Sequence, residues 1–121
     1  MCGITAILSD TSLSDDYINK KKKKFMKIKH RGPDDTQYYI NNNIFVGFHR
    51  LSINDLSVNG NQPFIIENET DKYVLICNGE IYNYKSIINS HKYTLQSSSD
   101  CEVIIHMFKD YGFKKTIEQL D

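Results

Sequence analysis

The sequence predicts an α+β domain, and three observations carry that expectation. Apolar runs of strand length come in closely spaced pairs, two segments repeat apolar residues at helical spacing, and strands do not alternate with helices as a doubly wound sheet requires. Neither G-x-G-x-x-G nor G-x-x-x-x-G-K-[ST] occurs, so neither of these phosphate-binding loops is expected.

The first element is a strand over 3–8, a short apolar run suited to burial in a sheet. A helix follows over 15–29, where Ile18, Phe25 and Ile28 recur at roughly helical spacing and Lys20 to Lys24, with Lys27 and Lys29, supply a solvated opposite face. Gly32-Pro33 forces a turn, with Arg31 and Asp34 placed to lock it as an ion pair. Strands over 37–40 and 44–49 flank Asn41-Asn42-Asn43, a loop. A loop through Pro63 leads to strands over 64–66 and 73–77, then to helices over 83–90 and 100–111. The last opens with a capping box, Ser99-Asp100-Cys101-Glu102. It continues with Val103, Ile104, Met107, Phe108 and Tyr111 at helical spacing, and Gly112 stops it.

Composition sets bounds. At 121 residues, 40% hydrophobic and 25% charged, the chain has the length for one core. Lys plus Arg equals Asp plus Glu at 15 each, which argues against a nucleic-acid partner engaged by a basic surface. Three cysteines, with no Cys-x-x-Cys, suggest no disulfide framework, so Cys77 and Cys101 read as reduced packing residues. Nothing at the amino end resembles a signal peptide and no apolar run reaches membrane length. A cytoplasmic protein without a membrane partner is expected, in which the sequon Asn68-Glu69-Thr70 stays unmodified. His30, His49, His91 and His106 show no metal-ligand spacing, so no metal is expected.

Chemistry enters at Cys2. Once a methionine ahead of it is removed, this residue presents a thiol and a free α-amine on one carbon. An α-amine titrates near roughly 7.7–8.0 and can take the thiol proton, as in other N-terminal nucleophiles. Asn78-Gly79 follows the apolar run Tyr73 to Cys77 and suits two roles: a hairpin turn, or a pair of donors to an oxyanion. Arg50, just past the apolar stretch Ile44 to Phe48, carries a planar fork suited to a carboxylate or to a surface ion pair. Glu80 and Asp100 supply the opposite charge.

Behind Met1-Cys2-Gly3-Ile4 stand, in order, His30-Arg31-Gly32-Pro33-Asp34, His49-Arg50-Leu51-Ser52-Ile53, Asn78-Gly79-Glu80-Ile81-Tyr82-Asn83 and Ser99-Asp100-Cys101-Glu102. This combination resembles the class II glutamine amidotransferases, and within them the asparagine synthetases. The resemblance implies an N-terminal nucleophile (Ntn) hydrolase-type αββα sandwich and hydrolysis of glutamine to glutamate and ammonia. By the same resemblance Cys2 is the nucleophile and Asn78 and Gly79 form the oxyanion hole. Arg50 grips the α-carboxylate, with Leu51, Ser52, Ile53 and Asn54 continuing the same wall, and Glu80 and Asp100 receive the ammonium. The loop from His30 to Asp34 supports the pocket. No cofactor is implied for this half-reaction.

Relatives continue past Glu118-Gln119-Leu120-Asp121 with a Gly and another apolar strand. The expectation is therefore the N-terminal part of the domain, incomplete at the C-terminal end, with an apolar sheet face and an unpaired edge. The synthetase domain, which uses ATP and Mg, is expected to be absent. Glutamine is the expected partner, with a synthetase domain or full-length homologue as a second one. The alternatives are a non-catalytic glutamine-binding or interaction module, a relic of such a domain, or an Ntn hydrolase acting on another amide.

Overall fold

A computed structural model describes residues 1–121. Two antiparallel sheets and three α-helices make up the chain, an α+β arrangement. Strands β1 (Gly3–Leu8), β2 (Asp35–Asn41) and β3 (Ile44–Arg50) form one sheet in the order β1-β3-β2. β4 (Phe64–Glu67) and β5 (Lys72–Leu75) form the other. β3 is buried on both faces from Phe45 to Arg50, whereas β1 at the edge leaves Ile4 42% and Leu8 77% exposed. The central position of β3 explains its continuous apolar run, since both of its neighbours come from within the chain.

Helix α1 (Asp15–Phe25) begins at Ser14, whose hydroxyl accepts the Tyr17 N–H. Asp15 and Asp16 lie in its first turn and Lys22 to Lys24 in its last, charges that complement the helix dipole. The expected helix over 15–29 is shorter than its pattern suggested. The Phe25 carbonyl, which would have accepted the next α-helical bond, instead accepts from His49 Nε2 at 3.0 Å. The chain tightens into a 3₁₀ segment, Met26–Arg31. The Phe25 ring stacks on the His49 imidazole with centroids 3.8 Å apart, and His49 Nδ1 meets the Thr36 hydroxyl at 2.8 Å. A donor at Nε2 fixes the tautomer, so a fully enclosed histidine keeps both nitrogens satisfied.

The turn at Gly32-Pro33 is held differently from the expectation, because Arg31 and Asp34 do not pair. Arg31 Nε donates to the Cys2 carbonyl at 3.2 Å, and Asp34 accepts from the Ser52 N–H at 2.7 Å. Each charge is thus spent on a different loop of the site. Gly32 lies flat on β3: a Cβ there would come within 2.2 Å of the His49 carbonyl oxygen.

The second sheet packs on α3 (Glu102–Gln119), where Phe64, Cys101 and Ile105 form one buried cluster. α2 (Tyr84–His91) contributes Ile87 to another with Val103 and Met107. Burying a side chain the size of Met107 contributes roughly 1.5–3 kcal/mol. Gly112 interrupts α3 at φ 75°, a conformation glycine adopts at little cost, and helical structure then resumes to Gln119. The strand expected over 73–77 ends at Leu75, because Cys77 pairs with a side chain rather than a strand. The capping box does not form: Cys101 is the N-cap with no side-chain bond. Glu102, itself buried, turns to the preceding loop instead, accepting from the Gln96 and Ser97 N–H groups at 2.8 Å each.

Gly32→Ala should destabilise the chain by roughly 3 kcal/mol, because the new methyl meets backbone that cannot yield. Urea unfolding measures it, and a change below about 0.5 kcal/mol would contradict this packing.

Candidate active site around Cys2

The pairing Gly3↔His49 carries β1 one residue further, so that Cys2 lies beside the end of β3. There the Leu51 N–H points at Cys2 Sγ from 3.3 Å, and the Leu51 carbonyl stands 3.7 Å from the same sulfur. On its other side the Cys2 N–H donates to Asn78 Oδ1 at 2.9 Å. Because an N–H is the donor there, the atom it meets is the amide oxygen, and Asn78 Nδ2 is left without a partner in the chain. The neighbouring Gly79 N–H is also unpaired. Gly79 does not have a positive φ and no hairpin forms, which removes the turn interpretation of Asn78-Gly79.

Their residues line a cavity of about 430 Å³. Cys2, Arg50, Leu51, Ile53, Asn54, Asn78, Gly79, Glu80 and Asp100 all line it. Ser52 does not: its N–H turns away to Asp34. Glu80 is exposed at the rim. Asp100 is buried and works as a latch between two loops, accepting from Asn54 Nδ2 at 2.8 Å and from the Ile81 N–H at 2.6 Å. It does not cap α3.

Arg50 is buried, and most of its fork is already occupied. Nη1 donates to the Ser57 carbonyl at 2.6 Å and to Asn61 Oδ1 at 2.5 Å, and Nη2 donates to the Asp55 carbonyl. Of its five N–H groups, Nε–H and one on Nη2 have no partner within the chain. Gly60 makes this approach feasible, since a Cβ there would sit 2.5 Å from Nη2.

Two further residues shape the cavity and were not singled out in the sequence. The Gln62 amide clamps the backbone just ahead of Asn78, with Nε2 donating to the Cys77 carbonyl at 3.2 Å and Oε1 accepting the Cys77 N–H at 2.6 Å. A glutamine side chain thus replaces a strand partner at the exit of β5. Asp55 accepts from the Ser57 and Ser98 N–H groups, both at 2.7 Å. The Ser57 hydroxyl, these backbone groups and nearby Arg50 hold its carboxyl below the usual range. The sequence offered only the turn-rich stretch Gly60-Asn61-Gln62-Pro63 as a signal, and none for Asp55. Cys77 and Cys101 also line the cavity. Interaction between the two thiols lowers the Cys77 thiol from its ordinary value, and the same interaction, with burial, pushes the Cys101 thiol up.

A family model described as a glutamine amidotransferase domain matches residues 1–121. Asparagine synthetase [glutamine-hydrolyzing] 2 of Bacillus subtilis is 43% identical over 115 residues, covering 93% of this chain and 15% of that protein. Asparagine synthetase [glutamine-hydrolyzing] of Rattus norvegicus is 38% identical, over 100% of this chain and 21% of its own length. A probable asparagine synthetase of Acanthamoeba polyphaga mimivirus is 35% identical, over 100% and 22%. The chain therefore spans about a fifth or less of these relatives. No helix is long and apolar enough to cross a membrane.

Asp55→Ala should cost about 2 kcal/mol at pH 7 by leaving two loop N–H groups unpaired. A carboxyl whose folded pKa is depressed stabilises fully above its unfolded value of about 3.9, and this is lost as pH falls through the folded value. The gap in urea midpoint between wild type and variant should therefore shrink below about pH 4. A gap that widens there would contradict the assignment.

Proposed function

The chain belongs to the glutamine amidotransferase domain family, in the form carried by the asparagine synthetases, and on that footing we propose that it hydrolyses glutamine to glutamate and ammonia with Cys2 as nucleophile. One observation carries this reading: Cys2, Asn78 and Gly79 line one cavity, and the Asn78 Nδ2 and Gly79 N–H donors have no partner in the chain. A nucleophile with two adjacent donors is what acyl transfer requires.

The Cys2 sulfur attacks the side-chain carbonyl carbon of glutamine, and the C=O electron pair moves onto oxygen. Asn78 Nδ2 and the Gly79 N–H receive that oxyanion. Its collapse breaks the C–N bond, ammonia leaves with a proton, and a glutamyl thioester remains for water to cleave. The Leu51 N–H stabilises negative charge on Sγ before attack and after cleavage. With Met1 attached, the Cys2 nitrogen is a peptide N–H and cannot accept a proton. Removal of Met1 turns that nitrogen into an amine, still positioned by Asn78 Oδ1, that takes the thiol proton and returns it to the leaving ammonia.

At the other end of the substrate, the two unpartnered Arg50 N–H groups face the α-carboxylate, and Glu80 with Asp100 receives the ammonium. Leu51, Ile53 and Asn54 line the chain between them, while Ser52 supports the wall from behind. The half-reaction draws on side chains and water, with no cofactor. The three-stranded sheet with α1 and the two-stranded sheet with α3 are assigned to parts of an αββα sandwich of the Ntn type. Transfer of the ammonia to aspartate, with ATP and Mg, belongs to a synthetase domain and to none of these residues.

Cys2→Ala should abolish ammonia release while glutamine still binds, and turnover at the wild-type rate would overturn the proposal. Asn78→Ala should lower kcat by about 100- to 1,000-fold with a smaller change in KM. A short extension ahead of Cys2 that blocks processing should also silence the chain, as read by coupled ammonia assay and intact mass. Full activity with the extension in place would exclude the α-amine as the base.

A further inference from the structure

Two thiols in the cavity wall take no part in the proposed hydrolysis. Cys77 lies just past β5, its backbone fixed by Gln62, and its half-buried side chain lines the cavity. Cys101, 3% exposed, opens α3 on the same wall. Cys77 packs against the cluster that contains Cys101. Both sulfurs also lie near Gly79. Cys101 Sγ is 3.5 Å from the Gly79 carbonyl, and Cys77 Sγ is 3.9 Å from where a Gly79 Cβ would stand.

We propose that Cys77 and Cys101 are a peroxide-reactive pair that closes reversibly to a disulfide in the wall of the cavity. Cys77 is the sulfur that peroxide reaches, because it is the more exposed of the two. The neighbouring Cys101 thiol lowers the Cys77 thiol from its ordinary value, which favours the thiolate, the reactive form. That thiolate attacks one oxygen of hydrogen peroxide and breaks the O–O bond, giving Cys77 sulfenic acid and, after protonation, one water. The Cys101 sulfur then attacks the Cys77 sulfur, and its proton leaves with the displaced hydroxyl as a second water. Two thiols are oxidised by two electrons to one disulfide, and one peroxide is reduced to two waters.

An S–S bond of about 2.05 Å draws Cys101 off the Gly79 carbonyl. Because that carbonyl and the oxyanion-binding N–H belong to one residue, closure displaces a donor of the proposed site. This consequence for turnover rests on the glutaminase reading, whereas formation of the disulfide does not.

The test therefore has two arms. In the first, the Cys2→Ala chain, which retains only these two thiols, is treated with hydrogen peroxide and followed by intact mass and non-reducing peptide mapping. The expected product has lost two hydrogens, joins the Cys77 and Cys101 peptides, and reverts with dithiothreitol. Adding Cys101→Ser should stop the reaction at one sulfenic acid on Cys77, trapped by dimedone. Oxygen added to both sulfurs without a linked peptide, or linkage only between chains, overturns the proposal. In the second arm, the chain retaining Cys2 should lose turnover several-fold in step with the linked fraction and regain it with dithiothreitol. Cys101→Ser, normalised to its own untreated rate and to the fraction of unoxidised Cys2 found by peptide mapping, should resist that loss. A disulfide that forms while turnover holds overturns the displacement of Gly79.

Discussion

The register of β1 against β3 decides where the candidate nucleophile stands. Gly3 opposes His49, and only from that pairing does Cys2 fall beside Leu51 with the Leu51 N–H aimed at its sulfur. A slip of one residue would exchange the two faces of β1 and turn the thiol away. Behind the sheet, the stack of Phe25 on His49, the bond from His49 to the Phe25 carbonyl and the close fit of Gly32 anchor β3, the strand against which β1 is set. One buried histidine thus ends a helix and anchors the central strand beside which the candidate nucleophile stands.

Facing the thiol is a wall built from loops, and buried polar groups hold it in place of strands. Arg50 ties residues 55–61, Asp55 ties Ser57 to Ser98, Asp100 ties Asn54 to Ile81, and Gln62 ties Cys77. No buried side-chain nitrogen or oxygen lacks a partner. Such a network is rigid when complete and costly to break, since each loss strands a desolvated group. The preorganised donors at Asn78 and Gly79 inherit their positions from it.

The strands and the alternation of apolar residues were legible in the sequence because periodicity reports burial directly. Cys2, Asn78, Gly79 and Asp100 line one cavity, a grouping that the family resemblance implied and that periodicity alone did not. The rest depended on long-range contacts. The end of α1 is set by a histidine 24 residues away, and the missing capping box reflects Glu102 meeting Gln96 and Ser97 instead of its own helix end. Arg50 looked like a free fork because its three loop acceptors carry no sequence signature. Cys77 read as a packing residue and does pack against the cluster of Phe64, Cys101 and Ile105, but from beyond the strand, which ends two residues before its apolar run. The thiol pair it forms with Cys101 became visible only when both fell on one wall.

The most direct test of the central claim, that Cys2 is an activated thiol in a glutamine-shaped pocket, is covalent labelling. The chain is weighed intact before and after exposure to a glutamine-shaped electrophile, and the labelled residue is located by fragmentation. A mass lacking Met1, with a single adduct on Cys2 that free glutamine suppresses, is the predicted result. A correctly processed chain that takes no adduct on Cys2, or takes one that glutamine does not suppress, would contradict the account.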